Sequence, residues 1–224
     1  MTNWNGFVSL LIAAVEFILL CVVLLHLRNK KENILAAVLI FLLMVYQFLE
    51  SLICYFNVSS SFVAFLAFAD ITFLPPTGLI LAWTIWGNTV KKNYLVYLPA
   101  LFFLVYYSLT IDKFIVNTCT VFYASYSYPL GESYGFFYYA PVVITIFYLR
   151  EKVKDNPGIL KSKLSGILVF AYVFISIPVA AGFILRSFGD SFVLSVIESV
   201  MCKFALSLAL ALTYFVMNNK QNNG

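Results

Sequence analysis

The chain has 224 residues, 62% of them hydrophobic and only 11% charged, with a formal net charge of +4 and a mean hydropathy of +0.94. Soluble domains are about half apolar and about a quarter charged, so a water-facing domain is excluded and an integral membrane protein, multi-pass in the cell membrane, is expected. The basic residues are scattered among loops and form no basic-aromatic face, so the expected surroundings are a lipid bilayer and not nucleic acid.

A bilayer-crossing helix needs roughly 20 mostly apolar residues. In chain order, apolar stretches fall at 7–27, 34–56, 62–86, 94–109, 135–148, 166–185 and 192–216, the fifth being the shortest. The runs are continuous, whereas barrel strands alternate apolar and polar residues over about ten positions. The expected fold is therefore an all-α integral membrane protein, a single seven-helix bundle over 1–224. The first stretch follows MTNWNG, which lacks the basic region and small-residue cleavage site of a secretory signal, so it is expected to remain as helix one.

Cytoplasmic loops carry the excess of Lys and Arg. Eleven basic residues, among them Arg28, Lys30, Lys31, Lys161 and Lys220, fall on one side of the seven stretches, against Lys113 and Arg186 on the other. This places the N-terminus outside and the C-terminus in the cytoplasm. The basic loops on the inner side are suited to contact a partner or anionic lipid. The long outer loop runs from about Thr110 into VFYASYSYPLGESYGFFYY. That is denser in Tyr than an interfacial belt requires, and it reads either as a lid over an outward pocket or as simple anchoring. Cys54 and Cys119 both lie on the outer side, where a disulfide is permitted by compartment. Cys21 and Cys202 lie within spans, as packing residues do. Asn57-Val-Ser is an outward sequon.

Five charged residues interrupt the spans: Glu16, Glu50, Asp70, Glu198 and Lys203. Each costs on the order of 2–4 kcal/mol at mid-membrane on insertion scales, so such residues face the bundle interior and mark functional sites. Counting about 1.5 Å per residue from the outer end, Glu50, Asp70 and Glu198 fall in the outer half, while Glu16 and Lys203 fall near the middle. The expected site is an outward polar pocket between the second, third and seventh spans, with Glu50, Asp70, Glu198, Gln47 and Lys203 as ligand-binding residues. A deep structural ion pair between Glu16 and Lys203 is expected beneath it, with Glu50 as the alternative partner. Ser199, Lys203 and Ser207 share one helix face. Pro75-Pro76 should free the carbonyls of Ile71 and Thr72 close to Asp70. The competing structural reading makes the acids polar glue between helices. Three outer acids without an outer cation favour a cationic or hydrogen-bond-donating ligand.

His26 is the single histidine, so no metal site and no cofactor is expected, and no nucleophile elbow or phosphate loop marks an enzyme. The stretches YQFLESLICYF, FADITFLPPTGLILAWTIWGN, SYGFFYYAPVV and SVIESVMCKFALSLALAL resemble the N-terminal seven-helix sensor region of membrane histidine kinases over nearly the whole chain. The resemblance implies a receptor-like module that binds a small molecule and signals to a cytoplasmic or membrane partner. The chain departs from that family in carrying only a short tail after the seventh span, so it is expected to stand alone, without a kinase domain. A weaker likeness is to microbial rhodopsins, with Lys203 as a retinal attachment point and Ala69-Asp70-x-x-Phe73-x-x-Pro76 similar to their third helix. Against it, Glu198 lies five residues before Lys203, no Arg precedes Asp70 by one turn, and the sixth span has no Trp-x-x-Tyr-Pro. Two other classes remain: an intramembrane enzyme or transporter acting on a lipid or small cation through the same carboxylates, and a subunit that pairs its buried charges with another membrane protein.

Overall fold

The computed structural model describes residues 4–27, 29–58, 60–88, 91–187 and 192–219. Arg28, Ser59 of the sequon and Lys220 lie outside the described residues, as does the side chain of Glu198. The chain is a helical membrane protein: five helical stretches, Phe7–Leu25, Lys31–Cys54, Ser61–Ile85, Leu160–Gly182 and Ser199–Asn218, are long and apolar enough to cross a bilayer, and Tyr94–Ser108 is a shorter apolar helix.

Helix α1 (Phe7–Leu25) buries Ser9, Ile12, Ala13, Glu16, Leu20 and Val23. The three- and four-residue spacing gives one stripe facing the bundle, while Leu11, Val15, Phe17 and Ile18 are exposed on the other faces. In water such a face would be costly; against acyl chains it is the expected surface. Helix α2 (Lys31–Cys54) packs along α1, and the small residues Ala36 and Ala37 are buried in it, as close helix approach requires without a hydrophobic drive between helices.

The third expected span divides into α3 (Ser61–Thr72) and α4 (Leu74–Ile85), which meet at Phe73. Pro75 and Pro76 fall in the first turn of α4, where a missing N–H leaves no helical bond unmade. Two threonine hydroxyls reinforce the joint: Thr72 donates to the carbonyl of Phe68 (2.5 Å) and Thr77 to that of Phe73 (2.7 Å). Beyond it, a 3-10 turn Lys91–Tyr97 leads into α5 (Leu98–Ser108). Helix α6 (Gly131–Asp155) extends well past the expected 135–148 in both directions, its last turns carrying Lys152 and Lys154. Helix α7 (Leu160–Ser187) follows. The seventh expected span is again two pieces, α8 (Phe192–Phe204) and α9 (Leu206–Asn218). Helix α9 packs on α1, α2 and α7, which brings the last helix against the first.

The long loop before α6, expected to lie outside, carries two strands in a chain expected to be all-α. β1 (Ile115–Cys119) and β2 (Ala124–Ser127) pair antiparallel, with Cys119 opposite Ala124 and an irregularity between Val116 and Thr118. A lone two-stranded hairpin is marginal, and this one is tied down at several points. Cys119 is disulfide-bonded to Cys54 at the end of α2, with a Cα–Cα separation of 5.4 Å. The carbonyl of Thr120 accepts the Gly6 amide at 2.8 Å. Gly6 has φ +70° and a Cβ there would lie 2.7 Å from Cys54 Cβ, so only glycine lets the start of α1 close onto the end of α2. Behind the hairpin, the rings of Phe68, Tyr107, Phe114, Tyr126 and Tyr134 are buried. Ring centroids are 5.2 Å apart for Phe68–Phe114, 5.3 Å for Phe68–Tyr126 and 5.0 Å for Tyr107–Phe114. The tyrosines of the loop are thus the core of a folded cap, built from offset and edge-on ring pairs.

The disulfide closes a sequence separation of 65 residues, for which the chain-entropy account gives about 4 kcal/mol. Replacing both cysteines by serine is expected to lower the midpoint of unfolding in detergent and to open the hairpin to proteolysis, with the wild type under reducing conditions behaving like the variant.

Candidate functional site

Glu50 lies one turn inside Cys54 on α2, and Gln47 three residues further in shares its face. Lys203 lies in the last turn of α8, where the carbonyl end of a helix favours a cation. These elements bring the Lys203 ammonium to 2.5 Å from Glu50 Oε1 and 3.0 Å from Gln47 Oε1. Ser9 of α1 donates to the same Glu50 oxygen at 2.7 Å. Glu16, Gln47, Glu50 and Ser9 are at most 1% exposed, and Lys203 is 7% exposed. The ion pair is therefore desolvated, and each partner depends on the other.

The pairing corrects one expectation. Lys203 bonds Glu50, the alternative partner, and not Glu16. Both carboxyl oxygens of Glu16 are buried without a hydrogen-bond partner, as is Glu50 Oε2, although Glu16 lies within electrostatic reach of Lys203. The reason is steric order along α1: Ser9 and Glu16 are seven residues apart on the same stripe, about 10 Å along the axis, and it is Ser9 that stands level with Glu50.

Gln47 does a second thing. Its amide nitrogen donates to the carbonyl of Cys202 at 2.6 Å, the acceptor that an uninterrupted α-helix would offer to the amide of Leu206. At that point the helical run is interrupted for the single residue Ala205, between α8 and α9, although Ala205 itself keeps helical dihedrals (φ −66°, ψ −14°), as fits a side chain entering the backbone ladder. Ser199, Lys203 and Ser207 consequently take different partners instead of lining one surface. Ser199 Oγ accepts the amide of Ala124 in the hairpin at 3.0 Å, and Ser207 bonds back to the carbonyl of Phe204.

Asp70 is not part of this network. It lies in the last turn of α3 with Oδ2 buried and unpartnered, and its side chain hydrogen-bonds none of the described residues. Near it, the Thr72 hydroxyl meets Tyr134 Oη at 2.9 Å, joining α3 to α6. The Glu198 side chain lies outside the described residues, so the expected trio of outer acids is represented by Glu50, paired with Lys203 and Ser9, and Asp70, outside that network. Ser9 carries one signal in the sequence, its seven-residue spacing from Glu16, and Ser199 is marked there only as a member of the Lys203 face. Among the described residues, no group of three or more His, Cys, Asp or Glu is placed to hold a metal ion.

Three buried carboxyl oxygens, two on Glu16 and one on Glu50, stand without a hydrogen-bond partner beside one ammonium, in a setting where a charge-assisted bond is strong. Removing one member of a buried pair strands the other, typically at 3–5 kcal/mol, while removing both charges together is far milder. Lys203→Met is accordingly expected to destabilise by roughly 3–5 kcal/mol, and Glu50→Gln in the same chain to recover much of that loss. A double-mutant cycle on the unfolding midpoint checks this, additive losses being the contrary outcome. Compared with known proteins, the chain matches no family model, no curated protein and no solved structure.

Proposed function

We propose that the chain is a receptor-like sensor of the cell membrane, binding a small cationic or hydrogen-bond-donating ligand at the Glu16–Glu50–Lys203 network and passing the change to a signalling partner. The observation that carries this reading is the set of three unpaired, fully buried carboxylate oxygens, two on Glu16 and one on Glu50, beside a single ammonium. A bundle that needed only helix-to-helix glue would spend those acceptors on neighbouring donors. Glu50, Gln47 and Lys203 keep their assigned roles as ligand contacts, and Glu16 joins them. Asp70 and Glu198 would take part only if the ligand reaches beyond the network.

The reading has seven crossings, the five long apolar stretches plus Tyr94–Ser108 and α6, with the N-terminus outside. The disulfide between Cys54 and Cys119 supports that orientation, because it belongs in an oxidising compartment and lies at the end with fewest Lys and Arg. The resemblance of the Glu50, Pro75-Pro76 and Lys203 stretches to the sensor region of membrane histidine kinases supports the receptor-like role. Internal pairing of Lys203 favours this reading over that of a subunit whose charges await another protein.

Ethanolamine, guanidinium and tetramethylammonium serve as probes of the ligand class in thermal unfolding of the full chain in detergent. At about a hundredfold excess over its dissociation constant a bound probe stabilises by about 2.7 kcal/mol, so a clear upward shift is expected with at least one donor-bearing probe. Glu16→Gln should abolish the shift. If no probe moves the midpoint, or if the variant responds like the wild type, the ligand-binding reading is wrong.

A further inference from the structure

At the opposite end of the bundle from the disulfide, the start of α2, the end of α4, the start of α7 and the end of α9 surround a cavity of about 260 Å³. Its floor is apolar, formed by Ile85, Leu164 and Phe215, all at most 4% exposed. Its rim is polar, formed by Lys30, Glu32, Lys161 and Asn219. We infer that this cavity is a binding site for a phosphate-bearing amphiphile, with the phosphate oxyanion between Lys30 and Lys161 and the first carbons of its chain on the apolar floor.

Charge and geometry favour an oxyanion over a cation. Among the described residues of the rim, two ammonium groups face one carboxylate, and that carboxylate already accepts the Asn219 side-chain amide at 3.4 Å. Lys30 is the residue that caps α2, and Lys161 lies in the first turn of α7, so the starts of two helices place the two ammonium groups at the same cavity. Lys161 lies over the Trp86 ring at 5.0 Å, a contact that holds the ammonium in place without neutralising it. Lys30 reaches the Asn219 backbone carbonyl at 3.3 Å and its side-chain oxygen at 3.4 Å, contacts that hold its ammonium at the rim, where a phosphate oxygen could accept a charge-assisted bond.

The apolar floor separates this site from a simple phosphate pocket. A free inorganic anion gains nothing from Ile85, Leu164 and Phe215, whereas a phospholipid headgroup brings its glycerol and upper chain onto them. At about 260 Å³ the space falls below the roughly 300–1,000 Å³ of pockets that enclose a whole drug-sized molecule. It suits a headgroup whose tails remain in the bilayer. The site is remote from the Glu50–Lys203 network, and it stands whether or not that network binds a ligand.

Native mass spectrometry of the full chain in detergent, titrated with phosphatidylglycerol or phosphatidylcholine of matched chains, tests the assignment. The wild type is expected to retain phosphatidylglycerol with an apparent affinity roughly tenfold above phosphatidylcholine, as two nearby basic residues supply. K30Q/K161Q should erase the preference, while Lys113→Gln, at the other end of the chain's bundle, should leave it intact. Millimolar inorganic phosphate that displaces the lipid fully would reassign the site to free phosphate and overturn the amphiphile. Equal retention of both lipids, or an unchanged preference in K30Q/K161Q, would overturn the site itself.

Discussion

The constraint on which the rest depends is a single rung of the hairpin. Cys119 and Ala124 face each other across β1 and β2. Cys119 is bonded to Cys54 on α2, and the Ala124 amide to Ser199 on α8. Four residues further into the bundle on each helix, one turn, stand Glu50 and Lys203, joined at 2.5 Å. The start of α1 hangs from the same hairpin through Gly6 and Thr120, and three residues along it Ser9 donates to the same carboxylate. Three helices are thus suspended from one hairpin and tied together again immediately beneath it by one oxygen atom. The separation of α2 and α8 at the outer end is set covalently on one side and by a hydrogen bond on the other, and that separation lets the ion pair close.

Such a pair is poor evidence for stability by itself, because desolvating two charges offsets most of their attraction. Its consequence is registry. Sliding α8 by one residue past α2 would unpair Lys203, expose the Glu50 charge to an apolar setting and pull Ser199 from the hairpin, so alternatives to the observed packing are excluded several times over. The break at Ala205 belongs to the same set of bonds. Gln47 holds Lys203 with its oxygen and the Cys202 carbonyl with its nitrogen, so the residue that completes the ion pair also ends the helix bearing it. The other broken span, at Phe73, has a different origin, since two prolines stop donation from the chain itself and threonines on either side close the joint.

What the sequence discloses of this fold follows from how local each signal is. Long apolar runs are legible because bilayer thickness dictates their length, so α1, α2 and α7 fall close to expectation. Gln47 and Glu50 share a face by spacing alone, and the compartment of Cys54 and Cys119 follows from the same count of spans. The partner of Lys203 is not legible in that way. Depth counting puts Glu16 nearer to mid-helix and so nearer to Lys203, but the choice is decided by hairpin ties that span 65 and 75 residues of sequence, of a kind no periodicity records. Ser9 reads as one hydroxyl in an apolar run, and the strand character of Ile115–Cys119 is masked by a neighbourhood of tyrosines that an interface would also explain. The break at Ala205 has no sequence mark, since neither Gly nor Pro stands there and its cause is a side chain on another helix.

The two ends of the bundle are held in unlike ways. The end that carries the disulfide is fixed by that bond, by backbone hydrogen bonds and by a packed cluster of rings. At the other end, α2 and α9 meet through amide and ammonium contacts of 2.9 to 3.4 Å around Asn219, beside a cavity. Long, partly exposed contacts of this kind contribute little individually, whereas the disulfide end is cross-linked covalently. Helix α9 runs 13 residues, about 20 Å, from Ala205 to that end, and its last turns pack inward, with Leu212, Phe215 and Val216 at most 3% exposed. Apolar burial along α1, α2 and α7, and not the polar contacts around Asn219, therefore holds it in the bundle.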